Sequence, residues 1–267
     1  MRNISFIIFL LISLTACEKV IDIDLNESDP QIVIEASLEA GEHEFVVRIT
    51  ETTSYFDNQL PNVIDYAQIR LFQEDGTAIE IPYQDAGNYA ALVNAMPNQT
   101  YRLEVEIGDL LYEASSFLPE KVELLQLETE FQEARGPIEE GYLLYFSFKD
   151  DGSVDNYYRL LHSIDGVFQN GGDDLQVSDD AFVNGGVARL PLFRKTFNSG
   201  EEIEVELRHF DAASFEYFNS LSDIVSNEEG GPGGGSAAPG NPNTNWNNGA
   251  LGYFSAFSAD KRSIKIP

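Results

Sequence analysis

The residues best suited to covalent chemistry stand at the start of the chain. Leu14-Thr15-Ala16-Cys17 closes an apolar stretch that begins at Ile4, and Cys17 is the only cysteine among 267 residues. Arg2 supplies a positive charge and Phe6 to Ile12 an apolar run, while Thr15 and Ala16 are the small residues that a signal peptidase requires before its cleavage point. The stretch from Ile4 to Ala16 is shorter than the ~20 apolar residues that cross hydrocarbon, which argues against a transmembrane anchor. With no second cysteine, neither a disulfide nor a thiolate metal site is expected.

Other chemistry-bearing patterns are incomplete. His43-Glu44 begins like a zinc-protease helix, but Val47 stands where the second histidine belongs, and the surrounding period is that of a strand. His162 and His209 lie in or beside strand-like runs, where a lone histidine is more often packed or exposed than a ligand. Ser258-Ala259-Asp260-Lys261 has the serine-x-x-lysine spacing, yet it ends a strand instead of opening a helix and lacks its companion motifs. No Gly-x-Ser-x-Gly, phosphate-cradling loop or dinucleotide fingerprint occurs. The densest carboxylate groups on predicted loops are Asp150-Asp151 with Asp155, and Asp173-Asp174 with Asp179-Asp180. Calcium takes roughly six to eight oxygens from loops of this kind, although neither group has the spacing of a helix-flanked calcium loop, and turn-forming or capping aspartates explain both. A glycosidase would need two particular carboxylates, and nothing selects them. The expectation is a protein that is not an enzyme and has no resident cofactor, with calcium at these loops as the one metal left open.

The chain carries 45 Asp+Glu against 16 Lys+Arg, a formal charge of −29. Phosphate backbones are bound by Lys and Arg that release counterions, and no basic cluster is longer than Arg194-Lys195 or Lys261-Arg262. Nucleic acid is therefore not an expected partner, and lying flat on anionic lipid is disfavoured. The charge suits a solvated body in an aqueous space, with a cationic ligand or divalent cation as the other use for it.

Strands must position whatever site exists. Gln31 to Leu38, Phe45 to Ile49, Ala67 to Phe72, Tyr101 to Ile107 and Leu111 to Ala114 alternate and are rich in β-branched and aromatic residues. Glu74-Asp75-Gly76, Asp85-Ala86-Gly87-Asn88, Pro97-Asn98 and Gly108-Asp109 separate them as turns. About seven strands in roughly ninety residues predict an immunoglobulin-like β-sandwich over residues 30–118. Leu118-Pro119-Glu120 marks a boundary. Residues 119–267 read as a second, β-sandwich-like domain with one α-helix. Its strands are Tyr142 to Phe148, Tyr157 to Ile164 across the turn-rich Asp150 to Ser153, the alternating Glu201 to Arg208, and a last pair, Leu251 to Phe257 and Ser263 to Ile266. Asp211 is a good N-cap for a helix carrying Ser214, Tyr217, Phe218, Leu221, Ile224 and Val225, which ends before Asn227.

The cysteine motif resembles that of bacterial lipoproteins. That resemblance implies removal of residues 1–16, a thioether-linked diacylglycerol on the Cys17 sulfur and acylation of its amine. Two or three acyl chains anchor stably where one holds marginally. Residues 17–29 then form an acidic stalk outside the cytoplasm. Surface-exposed lipoproteins of the Bacteroidota carry an acidic, lysine-containing sequence after the lipidated cysteine, and Glu18-Lys19 is similar, which favours the cell surface over the periplasmic face of an outer membrane.

A long loop from Glu228 to Asn248 precedes the last strands, and loops of this length are usually functional or disordered. Gly230 to Ser236 is flexible linker material. Asn241-Pro242-Asn243-Thr244-Asn245-Trp246-Asn247-Asn248-Gly249-Ala250-Leu251-Gly252-Tyr253-Phe254 suits a tightly turned segment and holds the only tryptophan. Trp246 and Tyr253 are the candidate ligand- or partner-binding residues, since aromatics give large contact area at low entropic cost; the competing reading is that they fill a core beneath the loop. The chain here resembles a family of Bacteroidota lipoproteins named only as a domain of unknown function, often encoded beside TonB-dependent outer-membrane receptors. The resemblance rests on Val20 to Leu25 after the cysteine, on Ile32-Val33-Ile34-Glu35-Ala36, on Val177-Ser178-Asp179-Asp180-Ala181-Phe182, and on the aromatic helix leading to Asn241-Pro242 and Gly249 to Phe254. It implies a non-catalytic outer-membrane lipoprotein, an accessory partner or ligand-capturing component of a TonB-dependent uptake system. The alternatives are a surface structural or adhesive module and, further off, a glycan-acting hydrolase.

Overall fold

A computed structural model of the protein describes residues 29–53, 60–134, 139–181, 183–192, 195–228 and 240–267. Leu14, Thr15, Ala16 and Cys17, the stalk as far as residue 28 and the glycine run from Gly230 to Gly235 lie outside the described residues.

Period-two alternation becomes strands throughout. In β1 (Ile32–Glu39), Ile34, Ala36 and Leu38 are buried and their neighbours half-buried, and in β15 (Glu202–Phe210) Ile203, Val205 and Leu207 are buried between polar residues. The first half comprises β1, β2 (Gly41–Glu51), β3 (Gln68–Phe72), β4 (Ala78–Glu80), β5 (Tyr83–Asp85), β6 (Asn88–Ala95), β7 (Gln99–Ile107) and β8 (Leu110–Leu118). The second comprises β9 (Leu124–Gln132), β10 (Gly141–Lys149), β11 (Tyr157–Ile164), β12 (Val167–Phe168), β13 (Gln176–Asp179), β14 (Val187–Pro191), β15, helix α1 (Ala212–Glu228) and β16 (Leu251–Lys265). The protein is mainly β. Among the described residues no helix is long and apolar enough to cross a membrane.

Among the described residues, pairing produces three sheets. Nine strands form one, in the order β12-β11-β15-β16-β1-β2-β6-β5, with β13 also on β11. The order β4-β3-β7-β8 forms a second and β14-β10-β9 a third. The strands β1-β2-β6-β5 facing β4-β3-β7-β8 give the immunoglobulin-like pairing expected for this segment. Phe45, Val47, Tyr89, Tyr101 and Leu103 pack between these two layers. Leu144, Phe146, Phe148, Tyr158, Val205 and Leu207 pack between the third sheet and the β11-β15 side of the large one.

The structure revises or extends the expectation in three places. Leu251 to Phe257 and Ser263 to Ile266 are one fifteen-residue strand, because β15 pairs with β16 without interruption from Glu202↔Lys265 to Phe210↔Phe257. The strands on either side of Asp150 to Ser153 are not partners: β10 pairs with β9 and β14, and β11 with β15. Finally, residues 30–118 do not complete the first core, since Trp246, Ala250, Phe254 and Ala256 return to it from the C-terminal end. β16 runs parallel to β1 over Val33↔Leu251 to Glu39↔Phe257 and antiparallel to β15, so both sandwiches share one sheet.

Successive residues of a strand point to opposite faces, and β16 uses both. Phe254 and Ala256 enter the first core, whereas Phe257 joins Phe210, Tyr217 and Phe218 in a third cluster with Tyr253 at its margin. This cluster seats α1 on the outer face of the nine-stranded sheet.

Candidate functional site

The Asn-rich segment is built into the fold. Trp246 is buried and its indole N–H donates to the Ile34 carbonyl at 3.1 Å. The asparagines around it fasten the loop to the free edge of β8. Asn245 donates to Ser115 O, while its amide bonds both the N–H and the C=O of Phe254. Asn247 exchanges backbone and side-chain bonds with Glu113, and Asn248 donates to Leu111 O. The segment thus supplies β8 with the partners a further strand would give, which covers an otherwise open sheet edge. Trp246 is packed in the first core. Tyr253, seven residues on, lies on the opposite face of the sheet, so the structure separates the two aromatic candidates.

Five of the seven aspartates of the predicted calcium loops accept from the protein's own donors. Asp150 is buried, accepting the Tyr158 hydroxyl at 2.6 Å and the Gly185 N–H at 2.7 Å. Asp151 accepts the Ser153 N–H and Asp179 the Ala181 N–H, as turn aspartates do. Asp174 holds the Gly171 N–H and the Lys195 ammonium, and buried Asp180 accepts the Asn156 N–H. Asp155 is exposed, and the Asp173 side chain lies outside the described set. No group of three His, Cys, Asp or Glu side chains that could hold a metal ion occurs among the described residues.

The remaining motifs are disposed of by geometry. Ser258 and Lys261 are three apart on a continuous strand and face opposite ways; Ser258 is buried, whereas Lys261 reaches Glu206 Oε2 at 3.0 Å on the outer face. His209 is buried against the Glu120 carbonyl at 2.7 Å. His162 is fully buried, with Asp174 3.9 Å away. A cavity of about 20 Å³ beside Phe148, Tyr158 and Gln176 has room for about one water molecule and no ligand.

Sequence reading passed over a charged cluster on the outer face. Arg159 of β11 stands directly opposite Arg208 of β15. Each guanidinium lies on an aromatic ring, Arg159 at 4.0 Å from the Phe218 centroid and Arg208 at 4.1 Å from that of Phe257. Arg208 Nε donates to Glu206 Oε1 at 2.5 Å. Burial pushes the Glu206 carboxyl up, but Arg208 and Lys261 outweigh it and hold the group below its ordinary range. No carboxylate pairs with Arg159 among the described residues, and its Nε is buried without a hydrogen-bond partner. Burial and then the Arg208 charge push Arg159 down to about 10, with Tyr253, Glu206 and Tyr217 acting the other way; it remains a cation at neutral pH. Tyr253 closes the cluster, 4.6 Å from the Tyr217 ring and 4.9 Å from that of Phe218, with its hydroxyl 3.3 Å from Ser37 Oγ. The sequence signal was faint: two outward arginines in separate strands, whose juxtaposition only the β11-β15 register reveals.

The class defined so far is a mainly β protein of two sandwiches joined through one sheet. Residues 18–263 match a family described as a domain of unknown function, DUF4249, and the chain belongs to that family. No curated protein matches it. Among solved structures it is similar to a two-domain fibronectin type III segment from chicken tenascin at 12% identity, over 89% of this chain and 99% of that one, with a TM-score of 0.25, too low to bear on the fold.

Proposed function

We propose that the protein is a non-catalytic lipoprotein of the outer membrane, held on the cell surface through Cys17, which captures a partner or ligand beside a TonB-dependent uptake receptor. The observation that carries this reading is the signal-peptidase motif ending at Cys17, followed after a short acidic stalk by a folded body that starts at β1. A stalk of about a dozen residues reaches at most ~40 Å. Tethering on that scale raises the effective concentration of a binding surface near a membrane neighbour, often to about millimolar. The shared sheet supports the same reading, because it joins both sandwiches to β1, the first strand after the stalk.

The test is a mild-detergent pull-down of the lipidated protein from its native membrane, with Cys17→Ser as the unanchored control. Near-stoichiometric recovery of a TonB-dependent receptor with the wild-type protein is the expected result. Recovery of the protein alone, from membranes in which other receptor complexes survive, would overturn the receptor partnership.

A further inference from the structure

We infer that the Arg159 cluster on the outer face of the nine-stranded sheet is a binding site for one oxyanion, with a singly charged carboxylate preferred over phosphate. The inference goes beyond the anchored role proposed above and does not depend on it.

The argument begins with how a guanidinium is used. Its face stacks on an aromatic ring, while its five N–H donors lie in its plane and remain available to a carboxylate or phosphate. Arg208 and Arg159 share the first use, on Phe257 and Phe218, and differ in the second. The in-plane Nε of Arg208 is taken by Glu206, whereas that of Arg159 is buried without a partner.

An unpaired guanidinium N–H stands out in a chain with 45 Asp+Glu. Arg70 and Arg102 meet Glu104, Arg189 meets Glu128, and Arg208 meets Glu206. Arg159, far more enclosed than Arg189, has no carboxylate among the described residues. It also faces a second arginine across the strand pair, an arrangement of like charges that costs stability. Burying a cation unpaired adds to that cost. An oxyanion would remove both penalties at once by accepting from Arg159 and screening it from Arg208.

The surroundings define the ligand. Tyr217 and Tyr253 lie close enough to Arg159 to act on its charge, their rings pack together at 4.6 Å, and the Tyr253 hydroxyl sits 3.3 Å from Ser37 Oγ. Phe218 completes an aromatic margin that suits a carboxylate on an apolar or aromatic body. Glu206 beside Arg208 and Glu35 beside Tyr217 set the charge limit. These two carboxylates tolerate one negative charge on the ligand better than two.

The test is scanning calorimetry of the full-length protein in a neutral detergent, titrated with sodium benzoate or inorganic phosphate against sodium chloride of equal ionic strength. Ligand that binds only the folded state raises the melting temperature in a saturable manner. The expected result is a saturable rise with benzoate that exceeds the phosphate response. It should weaken at least tenfold in apparent affinity for Arg159→Lys, which keeps the charge but loses the planar fork. It should vanish for Arg159→Met and persist for Arg189→Gln. A rise with phosphate alone, lost in the same two variants, would keep the oxyanion site and overturn the carboxylate preference. No rise beyond sodium chloride with either anion, or a rise that survives both Arg159 substitutions, would overturn the site. Should Arg159→Met fail to fold, the affinity of Arg159→Lys decides.

Discussion

The Ser116 hydroxyl donates to Asp211 Oδ2 at 2.8 Å and accepts the Ala256 N–H at 2.9 Å, so one buried side chain ties β8 to β16 and to the start of α1. Asp211 Oδ2 also accepts the Phe117 N–H, while Oδ1 caps α1 by accepting the Ser214 N–H. Asp211→Ala should therefore cost more than the ~1 kcal/mol of an ordinary cap. Ser116 and Phe117 also lose their acceptor, for a total of roughly 2–4 kcal/mol in urea unfolding. With Ser116→Ala in a double-mutant cycle, a coupling of at least ~0.5 kcal/mol is expected.

Trp246 reports on this packing directly. As the only tryptophan, buried with its indole N–H on Ile34 O, it should emit in the blue and resist acrylamide quenching until the protein unfolds. Trp246→Phe leaves the Ile34 carbonyl short of its donor and should lower stability by about 1–3 kcal/mol. Benzoate at saturating concentration should leave the emission unchanged, because the Arg159 cluster lies on the other face of the sheet.

Gly252 is the least replaceable residue of the C-terminal motif. It holds φ at +89°, and a Cβ there would overlap the Ile34 carbonyl across the β1-β16 pair. Relief would require parting the parallel pairing that closes the first core. Gly252→Ala should destabilise well beyond the ~1 kcal/mol of a simple glycine effect, read as a large fall in melting temperature. Gly76→Ala, where the added methyl meets no neighbouring atom but φ is likewise positive, isolates the backbone strain from the steric overlap.

Acid should weaken the fold before its carboxylates titrate. Burial, reinforced by Lys195 and opposed by Asp174, pushes His162 down to about 4, and burial also lowers His209. Above the ordinary histidine value of 6.5 both states are neutral and nothing is gained or lost. Below it the unfolded chain takes up protons first, so stability falls until folded His162 protonates near pH 4. The loss from His162 is roughly 3 kcal/mol. Urea midpoints between pH 7.5 and pH 4.5 should fall (about one proton's slope per histidine), and His162→Leu should flatten the curve.

Asp150 has its two oxygens committed to Tyr158 and Gly185. Asp150→Ala should cost roughly 2–4 kcal/mol by leaving a buried hydroxyl and an N–H unpaired, with Asp150→Asn milder. Millimolar calcium or chelator is expected to leave the wild-type melting temperature unchanged.

The alternating runs Gln31 to Leu38 and Glu201 to Arg208 declared themselves as strands because each buries one face, and the Asp211 cap followed from the polar side chain before a helical period. β9 did not declare itself: it is held by backbone bonds to β10 while most of its side chains stay outside the core, and a hydrophobic period cannot register a strand of that kind. The joining of Leu251 to Phe257 with Ser263 to Ile266 was hidden for the same reason, since Lys261 and Arg262 are held in the strand by β15 and not by burial.

The sequence by itself carried the expectation of export and a cysteine anchor, and it determined the strand-rich character and the one α-helix found among the described residues, because targeting segments and local periodicity are properties of contiguous residues. Only the tertiary structure decided that Trp246 is core and Tyr253 surface margin, that Asp150, Asp174 and Asp180 accept from donors elsewhere in the chain, and that Arg159 meets Arg208. Those outcomes depend on register and on which face of a sheet each residue takes, and both are fixed by strands more than forty residues away in the chain.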